Sequence, residues 1–143
     1  MRQKLQQALV STAAPLLQDG ERPEVASGAR INMSIKANLA WGAASAILTG
    51  GNWVTTGDDK QCYVLLTDRR LLLLQSHWLT FRPVAKVLAE LPRPSLVVTD
   101  VARGLMTSFT VSAAGHPDAI RLSFALTERG ESIALLRALG AAA

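Results

Sequence analysis

The side chains that could do covalent or metal chemistry are few, and their spacing keeps them apart. His77 and His116 are the only histidines, Cys62 is the only cysteine, and Asp58-Asp59 is an acidic pair in a Gly-containing loop. A nucleophilic Cys62 needs a base beside it and a depressed pKa, yet it opens the apolar run Cys62-Tyr63-Val64-Leu65-Leu66, the setting of an inert small core residue. His116 lies in a Gly-His-Pro-Asp turn and His77 follows an apolar run beside Trp78, so both read as surface or rim histidines. Adjacent acids in a glycine loop are ordinarily solvated, and a cysteine-based zinc site needs four ligands. No phosphate-loop, dinucleotide-binding or His-Glu-x-x-His pattern is present. The expectation is a binding protein rather than an enzyme, with no catalytic residues, no metal and no cofactor.

Two sets of residues could instead make contacts. Trp41, Trp53 and Trp78 are three of only seven aromatic residues, and the stretch Leu39 to Leu48 (LAWGAASAIL) is too rich in small residues to fill a core efficiently. Leu39, Trp41, Ile47, Leu48 and Trp53 are therefore the candidate apolar surface for a protein partner or a second copy of this chain. Lys60, Arg69, Arg70 and Arg82 form the alternative, a basic end that meets an anionic membrane surface or lipid head group. For Arg69 and Arg70 a structural role competes, since either could reach a carboxylate or carbonyl across the end of a sheet. Nucleic acid is disfavoured. The net charge is only +4 (15 basic against 11 acidic residues), no run of five like charges occurs, and neither a zinc motif nor aromatic–basic interleaving is present.

The elements that must position these residues fit one domain: 143 residues, 49% apolar and 18% charged, enough for a core and unlike a disordered chain. The single cysteine points to a reducing compartment. The opening MRQKLQQALV lacks the apolar centre of a signal peptide. Leu39 to Leu48 is about half the ~20 residues of a membrane span. A cytoplasmic protein is the expectation, with a place at the membrane periphery as the alternative.

Residues 1–18 read as a helix, with Leu5, Leu9 and Leu16 on one face and Pro15 marking an early end. Glu24 to Met33 alternates as a first strand, with Val25, Ser27, Ala29 and Ile31 on one side. Residues 35–56 form an apolar insertion. A short helix over Ala37 to Leu48 fits its alanines, although a hairpin is also compatible. Six short apolar runs follow: Cys62–Leu66, Leu71–Gln75, Val84–Leu91, Leu96–Ala102, Ser108–Ala113 and Ala119–Leu126. The first two read as a hairpin through Thr67-Asp68-Arg69-Arg70, and their continuous leucines imply burial on both faces, one of them under a helix. Thr127 is placed to cap a last helix with Ile133, Leu136 and Leu139 on one face.

The run Tyr63-Val64-Leu65-Leu66-Thr67-Asp68-Arg69-Arg70-Leu71-Leu72-Leu73-Leu74 resembles the hairpin of bacterial pleckstrin-homology-like and GRAM-like domains, and Leu16-Leu17-Gln18-Asp19-Gly20-Glu21 resembles the lead-in to their first strand. The resemblance implies a mainly β fold over residues 19–143: a seven-stranded antiparallel barrel or sandwich capped by a C-terminal amphipathic helix. The N-terminal helix precedes it, and residues 35–56 depart from it as an insertion after the first strand. It also implies a scaffold or binding module, or, as in the eukaryotic relatives, a lipid head-group binder.

Overall fold

In chain order, the computed structural model, which describes residues 3–33, 48–49, 60–77, 79–114 and 119–140, contains helix α1 (Gln3–Ala13), strands β1 (Pro23–Met33), β2 (Leu48–Thr49), β3 (Lys60–Thr67), β4 (Arg70–Ser76), β5 (Pro83–Pro92), β6 (Leu96–Ala102), β7 (Thr107–Ala113) and β8 (Ala119–Phe124), and helix α2 (Arg129–Ala138). All strand pairs are antiparallel, in the order β2-β5-β4-β3-β1-β8-β7-β6. The strand β1 is the seam. Its residues Pro23 to Ile31 pair with β3, while Arg30 to Met33 pair with β8, so one long strand serves both halves of the sheet. Seven long antiparallel strands, bent about the first and followed by a helix packed on the inner face, make a pleckstrin-homology-like fold. The sheet is not closed: among the described residues no ladder joins β6 to β5 or β2.

Two apolar clusters occupy the two faces of β3 and β4. Cys62, Val64, Leu66, Leu71 and Leu73 point inward, to Phe109, Val111, Ile120, Leu122, Phe124 and the α2 residues Leu135 and Leu136. Tyr63, Leu65, Leu72 and Leu74 point outward and lie beneath Leu9 and Ala13 of α1. The unbroken leucines thus have the expected cause, because a strand buried on both faces has no polar face to alternate with. Each fully buried leucine contributes roughly 1.5–3 kcal/mol of hydrophobic stabilisation. Among the described residues no helix covers the outer face of the β6–β8 half, and β7 burial alternates strictly, with Thr107, Phe109, Val111 and Ala113 buried.

Several boundaries differ from expectation for local reasons. Instead of reaching Gln18, α1 stops at Ala13 and continues as a 3-10 turn over Ala14–Leu16, because Pro15 has no N–H to donate. Thr127 does not cap α2: it lies inside a 3-10 turn, Leu126–Glu128, and Glu128 takes the cap position. The buried face of α2 is Ser132, Leu135 and Leu136, with Ile133 and Leu139 half-buried beside it. Of the insertion, only Leu48–Thr49 is described. These two residues form β2 against Ala89 and Glu90 of β5, an eighth strand where the favoured helix would have ended and where a hairpin was also compatible; the rest of the segment lies outside the described residues.

Candidate functional site

The Thr67–Arg70 turn, which carries two of the candidate basic residues, is a buried polar lock. Thr67 Oγ1 accepts from the Arg69 and Arg70 amides and donates to Glu21 Oε2 at 2.6 Å. Arg70 donates Nε to Glu21 Oε2 at 2.9 Å, Nη1 to Glu90 Oε1 at 2.8 Å, and Nη2 to Glu21 Oε1 and the Leu16 carbonyl. Arg69 reaches Gln18 Oε1 and the Asp19 carbonyl. Asp68 exchanges bonds with the Arg22 backbone. Arg93 ties the lock to Glu24 and to the Ala138 carbonyl at the end of α2. Burial would raise the Glu21 carboxyl, but hydrogen bonds from Arg70, Thr67 and the Gln18 amide outweigh it and hold the group at about 2. The same carboxylate raises the Arg70 pKa, so the pair is fully ionised.

This lock separates the basic residues that were expected to converge. Arg69 and Arg70 follow the last residue of β3, whereas Lys60 is its first, and seven strand steps put the two ends about 23 Å apart. Arg82 belongs to the turn between β4 and β5, at the Lys60 end. The four do not share one end of the fold, and the Arg69 and Arg70 side chains are engaged with the α1–β1 connection. Of the apolar candidates, Leu39, Trp41, Ile47 and Trp53 lie outside the described residues, as does Trp78, while Leu48 is in β2. The insertion leaves from the end of β1 and returns at the start of β3, so its two attachment points are at the Arg82 end.

That end carries a turn with an unusual backbone. The His77 and Arg82 backbones close it, the His77 Nδ1 accepts from the Leu79 and Thr80 amides, and Phe81 is left-handed at φ 56°. A non-glycine residue in that region costs energy and persists only where its surroundings hold it. Here the Tyr63 hydroxyl donates to the Phe81 carbonyl. Burial, and then the Glu128 carboxylate, push the Tyr63 phenol upward, which keeps it a donor. What the turn presents is apolar: Leu79 and Phe81 are 63% and 61% exposed.

Behind the Tyr63 ring, on the outer face, lies a cavity of about 70 Å³ lined by Gly28, Arg30, Gln61, Met106, Ser123 and Glu128, among others. Gly28 keeps it open, since a Cβ there would sit 3.5 Å from Glu128 Oε1 and 3.8 Å from the Tyr63 ring. On the far side the β6–β7 loop presents Leu105, 85% exposed, and Met106, with exposed Leu126 following β8. Sheet order therefore sets Met106, Ser123, Gly28, Tyr63 and Phe81 in a line from β7 across β8, β1 and β3 to the β4–β5 turn. With strands about 4.8 Å apart, β7 to β3 spans about 14 Å. The exposed Leu79, Phe81, Leu105 and Met106 had no sequence signal, since turn leucines look like core leucines until burial is known.

Among the described residues no three His, Cys, Asp or Glu side chains gather as a metal would require. Burial pushes the Cys62 thiol far up, so it is neither thiolate nor ligand. No described helix is long and apolar enough to cross a membrane. No family model matches the sequence, and no curated protein matches it. Among solved structures it is similar to one of the Vav1 exchange factor described for the structural role of its PH and C1 domains, at a TM-score of 0.48 and 14% identity, over 80% of this chain and 26% of that chain. It is similar also to Vav1 held by an allosteric inhibitor, at 0.49 and 12%, over 80% of this chain and 27% of that one. The chain spans about a quarter of the length of those proteins.

Proposed function

We propose that this protein is a non-catalytic interaction module of the bacterial pleckstrin-homology-like, GRAM-like kind that its Tyr63–Leu74 hairpin resembles, acting in the cytoplasm and self-associating through its outer face. The observation that carries the reading is the pair of exposed apolar groups flanking the Gly28 cavity: Leu79 and Phe81 on one side, Leu105, Met106 and Leu126 on the other. A fold that buries leucines on both faces of β3 and β4 has apolar residues left over at two loops, and one of these is held by a left-handed backbone that Tyr63 must restrain. Exposed apolar side chains gathered on one face mark an interaction surface. The insertion carrying Leu39, Trp41, Ile47 and Trp53 leaves and returns at the same end as Phe81 and extends that surface in this reading, while Leu48 pairs with Glu90 towards the lock.

Sedimentation equilibrium of Phe81→Ser and Leu105→Ser tests it. Both side chains are exposed, so both variants should fold, and each should lower the association constant at least tenfold. Association unchanged in both would remove this face from the contact.

A second reading is favoured by one observation: exposed Arg82 sits directly beside Phe81, and a cation next to an apolar tip suits an anionic bilayer surface. In that reading Arg82 and Lys60 act at one end without Arg69 and Arg70. A monomer that sediments with anionic vesicles and is released by salt is its signature.

A further inference from the structure

The outer face of the β1–β8–β7 half carries a second, polar feature, which shares Arg30 and Ser123 with the walls of the Gly28 cavity. Register pairs Arg30 of β1 with Ser123 of β8, and Ser123 with Ser108 of β7, so the three form one row across three strands on one face of the sheet. Arg121 lies two residues along β8 on that same face, opposite Thr110. Its guanidinium leans back toward the row: Nη2 donates to Ser108 Oγ at 2.7 Å and Nη1 reaches Thr110 Oγ1 at 3.3 Å. Among the described residues Arg121 meets only these two hydroxyls and no carboxylate, and Arg30 is exposed beside it. The contrast with Arg70 and Arg93, each paired to a glutamate, is plain.

Arg30 and Arg121 are diagonal neighbours across β1 and β8 on one face, and a guanidinium's fork of donors matches the oxygens of a phosphoryl group. Two strand spacings separate Arg30 from Ser108 by about 10 Å, room for one tetrahedral oxyanion above Ser123. Arg121 leans over Ser108, and Ser123 is its neighbour in the row, so the position above the two serines is where the remaining donors of Arg121 can meet an anion. The serine hydroxyls can turn to donate as readily as to accept. We propose that Arg30, Arg121, Ser108 and Ser123 bind a single phosphoryl group, that of phosphate itself or of a small phosphate monoester.

The test is a titration of the ¹⁵N-labelled full chain with inorganic phosphate and with glycerol 3-phosphate, against sodium chloride at matched ionic strength. Saturable amide shifts centred on Ser108 and Ser123, at least tenfold weaker in Arg121→Gln and in Arg30→Gln, are expected. Saturation by inorganic phosphate alone assigns free phosphate as the ligand, and tighter saturation by the ester assigns the monoester. Shifts reproduced by chloride, shifts that persist in both variants, or binding to vesicles of phosphatidylserine with none to either phosphate, would each overturn the proposal. Both arginines are on the outer face, so the variants should keep the wild-type spectrum elsewhere. As a control for fold, Ser108→Ala removes one hydroxyl, leaves both charges, and should weaken binding less than either arginine change.

Discussion

Replacing Arg70 with Leu removes the cation at the centre of the lock and leaves Glu21, whose side chain is fully buried, with only its Thr67 and Gln18 bonds. Glu90 is 26% exposed and can turn to water, so most of the cost falls on Glu21. Breaking a buried pair by deleting one partner costs about 3–5 kcal/mol. For a chain of this size that lowers Tm by roughly 10–15 °C. The acid dependence gives an independent measure. The Glu21 carboxyl is held at about 2 against 4.5 in the unfolded chain, and a depressed carboxylate stabilises above its unfolded value. That contribution, about 3 kcal/mol at 1.36 kcal/mol per pKa unit, is present above pH 4.5 and lost as pH falls through about 2. In Arg70→Leu burial dominates and raises the carboxyl. The variant's deficit should therefore be largest near neutral pH and shrink on acidification, as Glu21 takes up a proton at less cost. The double variant Glu21→Leu/Arg70→Leu should recover much of the loss, because no buried charge is left unpaired. Urea unfolding followed by circular dichroism between pH 2 and 7 measures all three. An Arg70→Leu protein within about 1 kcal/mol of wild type at pH 7, or one whose deficit grows with acid, would refute the reasoning.

Tyr63→Phe removes the bond that holds the Phe81 carbonyl and should cost about 1–2 kcal/mol, with faster amide exchange confined to residues 77–82; uniform loss of protection would contradict a local role. Gly28→Ala places its methyl at ordinary contact distance from Glu128 and Gln61, so thermal unfolding should show a change within about 1 kcal/mol, toward stability if the strand gains from losing a glycine. Leu9→Ala empties the contact between α1 and the outer leucines and should cost about 2–5 kcal/mol. If the chain without α1 proved as stable as the whole, the second apolar cluster would not be a core.

How much of this was legible depends on what each residue's neighbours had to supply. Strand order and the two-faced burial of β3 and β4 could be read directly, because a run such as Leu71 to Leu74 admits few alternatives once strands are short and turns are marked. The interior of Pro15 likewise announced where α1 ends. The lock was half legible: Thr67-Asp68-Arg69-Arg70 announced a turn and an arginine reaching a carboxylate, but nothing local names Glu21 and Glu90 as the partners, since they come from 49 and 20 residues away. The expected gathering of Lys60 with Arg69 and Arg70 failed on register, because residues close in sequence lie at opposite ends of a strand of eight residues. The outer-face row of Arg30, Ser123 and Ser108 was invisible because it exists only through the pairing of β1 with β8. The left-handed residue at the Arg82 end, Phe81, had no signal at all, since phenylalanine has no preference for that conformation.

The central claim is that the outer face is a contact between copies of this chain, and light scattering behind size-exclusion chromatography across a concentration series, at low and high salt, tests it most directly. Apolar contacts are not screened, so the account predicts a mass that rises above 15.3 kDa with concentration and is unchanged by salt. A mass fixed at the monomer value at every concentration, or an assembly that dissolves as salt rises, would contradict it.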